Sequence, residues 1–167
     1  MAQLILGSRS LAAWSGRTLV LGVTGSQPTA VASADRIVSI GGAVTEILYR
    51  LGGAPRIVVV EPEAAPALID SIRAGRVIDT DGPVSSMGRL DCKTPSMIAL
   101  AGLARDADLF VTITEAEAAA GVAALGRAGF ATTPSGAAGV AALLTGAVGV
   151  DLATRVLAFL SEGPEDG

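Results

Sequence analysis

The sequence contains no histidine, which excludes Ser-His-Asp and Cys-His catalysis and every zinc centre built on imidazole. It has one cysteine, Cys92, so an internal disulfide is ruled out and a reducing compartment fits. A single lysine, Lys93, accompanies eleven arginines. Aromatic residues make up only 3 % of the chain while half of it is apolar. The core must therefore be built from Ala, Val, Leu and Ile, and such small side chains favour close packing of helix on sheet over a large cavity. No apolar run reaches the roughly 18–20 residues of a spanning helix, so no membrane span is expected. Twelve basic against sixteen acidic residues leave a net charge of −4, which argues against a general affinity for nucleic acid or anionic membrane.

What is present alternates short β-branched runs with longer alanine-rich ones over 167 residues, a length that suits one domain or a piece of a larger one. Arg36 to Ile40 reads as a strand, followed by the turn Gly41-Gly42. Ala43 to Leu51 reads as a helix with Val44, Ile47, Leu48 and Leu51 on one face. Arg56 to Val60 is a continuous apolar strand of the kind buried in parallel sheets. A helix over Ala64 to Ala74 follows, then an extended loop from Val77 to Cys92, rich in Gly, Pro and Ser. Thr94-Pro95 is expected to open the next helix, with Thr as cap and Pro in the first turn. Leu109 to Ile113 is a strand; Thr114 and Glu117 form a capping box for the helix after it. Ser135 begins an alanine- and glycine-rich helix to about Thr145, and Arg155 to Leu160 is the last strand. This order points to an α/β fold, three-layered, with a mainly parallel sheet. Residues 1–34 stand apart as a loosely structured or weakly signal-like segment. Arg9 precedes the apolar stretch Leu11 to Val23, and Ala32-Ser33-Ala34 forms a cleavage-like site, but Gly16 and Arg17 interrupt the run. Residues 35–167 form the main domain.

Several phrases resemble one family in the order in which that family has them. They are Arg56-Ile-Val-Val-Val-Glu61-Pro62-Glu63, Gly88-Arg-Leu-Asp91-Cys92-Lys93-Thr94-Pro95-Ser96, Phe110-Val-Thr-Ile-Thr114-Glu115-Ala-Glu117-Ala, Thr133-Pro134-Ser135-Gly136-Ala137-Ala138-Gly139 and Leu160-Ser161-Glu162-Gly163-Pro164. Together they resemble the C-terminal part of a fold-type-II pyridoxal-phosphate lyase, of the diaminopropionate ammonia-lyase and threonine dehydratase kind, over about residues 55–166. The resemblance implies part of that family's large domain, with pyridoxal phosphate as cofactor and a small amino acid as substrate. It places Ser135, with Gly136 beside it, at the pyridine nitrogen. A neutral hydroxyl there does not stabilise a protonated ring as a carboxylate would, which suits β-elimination. Read without its surroundings, Ser135 is a plain helix N-cap after Pro134. For the cofactor phosphate, Gly41 and Gly42 are the candidates, since a glycine turn before a helix presents free backbone N–H groups to an anion. Glu61 falls where some relatives hold a carboxylate near a cation, but the other ligands have no match and no metal is carried over. Cys92, with no base nearby in sequence, reads as a buried small side chain.

One element of the family is missing. Its Schiff-base lysine lies well upstream of the glycine loop, and here no lysine precedes Lys93. Lys93 sits in a phrase that is not the Schiff-base position, so no catalytic residue is assigned. Any hold on the cofactor is expected to be weak or residual, and the chain alone inactive, as for a truncated enzyme without its small domain. A second resemblance bears on residues 35–51. Asp35-Arg36-Ile37-Val38-Ser39-Ile40-Gly41-Gly42-Ala43-Val44-Thr45-Glu46-Ile47-Leu48 resembles the mature start of periplasmic haem-binding proteins of ABC importers. Haem would need an axial ligand, for which Tyr49 is the only tyrosine. Two explanations stand side by side: a fusion or truncation joined near Gly53, or a glycine turn and helix that belong to the lyase domain itself. A third reading is a ligand-free α/β domain. A cytoplasmic setting follows from the lyase reading, and a periplasmic one if residues 1–34 act as a signal. An uncovered sheet edge or face would favour a homo-oligomer.

Overall fold

The structure is a computed structural model that describes residues 18–22, 36–39, 56–151, 154, 156–160 and 162–163. Five strands, β1 (Thr18–Gly22), β2 (Arg36–Ser39), β3 (Arg56–Pro62), β4 (Leu109–Ile113) and β5 (Val156–Leu160), form one sheet in the order β1-β5-β2-β3-β4. Every pairing is parallel, so the expected α/β class with a parallel sheet holds. β1 lies within the segment 1–34 and runs beside β5 in the register Thr18 to Val156. Gly41, Gly42, the helix expected over 43–51 and Tyr49 lie outside the described residues.

β3 is flanked on both sides, by β2 and β4, and all its residues after Arg56 are buried. A strand covered on both faces has no polar face to present, which is why its sequence runs apolar without alternation. At its start Asp108 locks the edge: the Ile57 N–H donates to Asp108 Oδ2 at 2.8 Å, and the Asp108 N–H donates to the Ile57 carbonyl at 2.9 Å.

Four helices complete the described part: α1 (Ala67–Ala74), α2 (Met97–Asp106), α3 (Glu115–Arg127) and α4 (Pro134–Leu144). α1 begins three residues later than the sequence pattern suggested. Pro66 occupies its N-cap, and a proline pushes the residue before it out of the helical region. α2 departs further. Its cap is Ser96, whose side chain accepts from the Ala99 N–H, and Met97 is the first helical residue, so Thr94 and Pro95 precede the helix rather than open it. The expected capping box at Thr114 and Glu117 is present in both directions.

α4 is capped by Thr133, with Pro134 at the first position. Every residue from Ser135 to Ala142 is buried, and Ala138, Ala141 and Ala142 join Val58, Val60, Ile113 and Val156 in the main core cluster. Its small side chains let α3 come close: a Cβ on Gly121 would lie 2.9 Å from the Ala141 Cβ. No helix among the described residues is long and apolar enough to cross a membrane.

Candidate functional site

The strand order sets β5 against β2. From β2 the chain moves outward through β3 to β4, then returns to lay β5 on the other side of β2. Open α/β sheets bind ligands outside the carboxyl ends of their strands. For β2 and β5 those ends are Ser39 and Leu160.

The first turn of α4 is fastened beside the end of β5. The Thr132 hydroxyl donates to the Glu162 carbonyl at 2.7 Å, and the Thr133 hydroxyl donates to the Glu162 carboxylate. The Gly136 N–H in turn donates to Thr133 Oγ1 at 3.1 Å. Gly136 has a packing reason to be glycine, because a Cβ there would sit 2.3 Å from Thr132 Oγ1 and 3.3 Å from the Glu162 carbonyl oxygen. Since Thr133 performs the capping, Ser135 is not the helix N-cap that local sequence suggested. Its hydroxyl is therefore free of the helix end. Ser135 is 4 % exposed, and its Oγ accepts the Arg89 N–H at 3.1 Å. Among the described residues nothing accepts the Ser135 hydroxyl proton.

Arg89 belongs to a loop whose neck is closed by backbone. The Thr80 N–H donates to the Lys93 carbonyl at 2.8 Å, so Thr80–Lys93 is a compact loop with joined ends, a form recurrent at functional surfaces. Met87, fully buried, anchors it in the main core cluster. Glu115, at the start of α3, holds it from one side: Ser85 Oγ donates to Oε1 at 2.5 Å, the Ser86 N–H to Oε2 at 2.9 Å, and the Ser86 hydroxyl to Oε2 as well. Those donors stabilise the carboxylate, Ser85 first, and hold Glu115 below its ordinary value of 4.5. Gly82 lies against the turn after β3 so closely that a Cβ would come within 1.9 Å of the Ala64 carbonyl oxygen.

Lys93 completes the loop. Its Nζ donates to the Ala64 carbonyl at 2.8 Å, the Pro83 carbonyl at 2.7 Å and Asp91 Oδ1 at 2.6 Å. An ammonium carries three protons and no lone pair, and three oxygens accept them here. The hydrogen bond from Lys93 is the main reason that Asp91 lies below its ordinary carboxylate range.

Glu61, at the end of β3 and 8 % exposed, is committed elsewhere. Its two oxygens accept the Leu68 and Ile69 N–H groups, each at 2.8 Å. Pro66 provides no side-chain cap for α1, so Glu61 supplies from the sheet the acceptors that the helix start lacks. Burial raises its pKa above 4.5, and the two backbone donors oppose that rise.

The comparisons with known proteins add the decisive observation. The profile of the family described as pyridoxal-phosphate dependent enzyme matches residues 25–162. The chain belongs to that family. Its fold is that of a threonine deaminase from T.th. (TM-score 0.71, 21 % identity, 80 % of this chain and 51 % of that one). It is also that of maize serine racemase (0.69, 19 %, 80 % and 44 %) and of diaminopropionate ammonia lyase from Escherichia coli (0.66, 19 %, 91 % and 40 %). The chain thus spans about half or less of the length of these proteins. A comparison with curated proteins finds no match.

Against this background the expected fold-type-II likeness is sustained, and pyridoxal phosphate is the family's cofactor. Of the residues expected to meet it, Ser135 and Gly136 are brought together in the first turn of α4 near Glu162, while Gly41 and Gly42 lie outside the described residues. Cys92 is exposed, contrary to the buried thiol expected from sequence. Its N–H donates to the Leu90 carbonyl at 2.7 Å, a tight reversal that turns the residue outward. The Lys93–Ala64 bond and the Glu115 clamp were missed because they join residues 29 or more positions apart, a separation at which local patterning carries no signal.

Proposed function

We propose that this chain is the cofactor-facing part of a pyridoxal-phosphate-dependent amino-acid ammonia-lyase, that within these 167 residues it meets the cofactor only through noncovalent contacts, and that alone it is catalytically silent. The observation that carries this reading is the state of Lys93, the chain's one lysine, whose three donors are engaged by Ala64, Pro83 and Asp91. To attack an aldehyde the amine would have to lose a proton and break one of those bonds, and the atoms that hold it lie on the loop and the β3 turn, not in the first turn of α4.

The donor set of that turn fits the cofactor ring without charge. Ser135 Oγ accepts from Arg89 while its own proton has no acceptor among the described residues, so the hydroxyl can donate to a ligand, as suits an unprotonated ring nitrogen. No carboxylate among the described residues hydrogen-bonds to Ser135. When bound, pyridoxal phosphate supplies the electron sink for carbanion chemistry. The chain's part is to orient the ring through Ser135, to leave the ring nitrogen uncharged, and to exclude water by burying the first turn of α4. Gly136 sits beside it, with Gly41-Gly42 as the phosphate contact, and a small amino acid and a cytoplasmic setting complete the reading. The family match begins at residue 25 and runs across residue 53, which supports reading residues 35–51 with the rest of the domain rather than as a haem-transport start fused to it.

Titrating the purified chain with pyridoxal phosphate, followed by absorbance and dialysis, tests the proposal. The expected result is saturable, fully dialysable binding that Ser135→Ala weakens about tenfold, as the loss of one hydrogen bond at a buried site implies. No saturable binding, equal binding by Ser135→Ala, or turnover of threonine or diaminopropionate by the chain alone would overturn it.

A further inference from the structure

The oxygen cage around Lys93 has the composition of a small cation site: two backbone carbonyls and one carboxylate, at 2.6 to 2.8 Å. Its three members come from different places. Ala64 follows β3, while Pro83 and Asp91 lie in opposite arms of the Thr80–Lys93 loop. Carbonyl oxygens that converge in this way repel one another, so a positive charge is what allows the arms to close on the β3 turn. The fit is tight, since Gly82 meets Ala64 so closely that no side chain has room there. The Lys93 backbone also closes the loop neck through Thr80, which places the ammonium at the base of the loop with its side chain 30 % exposed.

We propose that the Lys93 ammonium is a tethered resident cation and the positioning residue for Ser135: by holding both arms of the loop on Ala64 it delivers the Arg89 N–H to Ser135 Oγ, and so fixes which way the buried hydroxyl donates. The loop has further fastenings. Met87 sits in the core, Glu115 takes Ser85 and Ser86, and the Ser85 N–H donates to Asp91 Oδ2 at 3.3 Å. The arm from Gly88 to Cys92, which carries Arg89, is joined to the rest through the Asp91–Lys93 pair, the Ser85–Asp91 bond, the Leu90–Met87 turn, the packing of Leu90 against the core and a long Arg89–Glu162 ion pair at 3.9 Å whose arginine is mostly exposed. Losing the ammonium releases Asp91 from Lys93 and leaves a carboxylate facing two carbonyls, so this arm is the one that moves. The role assigned to Ser135 rests on the functional reading above, but the placement of Arg89 does not. The two can fail separately because the test below uses no cofactor.

Lys93→Ala removes three methylenes and the ammonium, atoms that n-propylammonium supplies. Hydrogen exchange at the Arg89 amide is the readout, with the Gly136 amide, bonded to Thr133, as internal reference. The expected result is a loss of about tenfold in Arg89 protection, the scale of one charge-assisted hydrogen bond, with Gly136 changed less than about twofold. Added n-propylammonium should restore the Arg89 value, and tetramethylammonium, which has charge but no N–H donor, should not. Unchanged Arg89 protection in Lys93→Ala, failure of n-propylammonium to restore it, or equal restoration by tetramethylammonium would overturn the proposal. Should Lys93→Ala not fold, Lys93→Met keeps the length of the stem without the charge. It should then lose Arg89 protection and not respond to n-propylammonium, and full protection in that variant would equally overturn the assignment.

Discussion

The two structures that meet at Ser135 are built from opposite materials. The first turn of α4 uses small neutral groups, Thr132, Thr133, Ser135 and Gly136, buried against Glu162. The Thr80–Lys93 loop uses charge, with Lys93, Asp91 and Glu115 as its fastenings, on a surface where Ser86 and Glu115 are exposed. The neutral part keeps a buried hydroxyl whose proton has no taker among the described residues. The charged part leaves the amine with nothing free. The lesson is that charged and neutral donors can serve separate ends in one fold: the chain's one lysine fastens a loop, and the turn proposed to receive the cofactor keeps an unengaged hydroxyl proton instead.

Glycine substitutions should break the two regions unequally. Gly82→Ala sets a Cβ against a backbone carbonyl, which cannot rotate away, and is expected to cost about 3 kcal/mol or more in urea unfolding. Gly136→Ala meets a threonine hydroxyl first, and that side chain can turn at the loss of its bond to Glu162, so about 2 kcal/mol is expected. Equal costs would mean that the loop does not press on Ala64 as described.

Acid should separate the regions more gently. Glu115 lies below its ordinary 4.5 because Ser85 and Ser86 donate to it. A depressed carboxyl favours the fold above its unfolded value and loses that contribution as pH falls through the folded value. Glu61 is raised by burial, so its ionisation works against the fold, and its contribution is present below 4.5 and lost as pH rises through the folded value. Carboxyl-carbon NMR titration should therefore find Glu115 titrating below 4.5 and Glu61 above it. As Glu115 takes up its proton, the Ser86 amide should lose protection while the Gly136 amide does not.

Much of this was legible in the sequence where physics is local. The unbroken apolar run of β3 declared a doubly covered strand, and Thr114 with Glu117 declared a helix start. The first residues of α1 and α2 were misjudged by the same cause, prolines whose effect falls on the residue before them or which precede the true cap. Apolar composition alone also misleads. α2 and α4 are both rich in Ala and Leu, yet α4 is buried along nearly its whole length, whereas α2 buries no residue and leaves Ile98 88 % exposed. Neighbours in space make that difference, and a single helix does not encode them. β1 lies in the apolar stretch that also has a signal-like pattern, because a short run of Leu and Val serves either purpose. Of the candidate site, the sequence singled out Ser135 and Gly136 through a phrase shared with a family, and the structure adds that both are buried in the first turn of α4. The cage that decides the fate of Lys93 depends on contacts across the loop.

The account stands on Lys93 being a fastening rather than an anchor, and borohydride reduction with pyridoxal phosphate followed by peptide mass spectrometry tests it directly. Reduction of the folded chain should leave the Lys93 peptide unmodified, with the adduct appearing there only after the chain is unfolded in urea. A stoichiometric pyridoxyl adduct at Lys93 in the folded protein would contradict it.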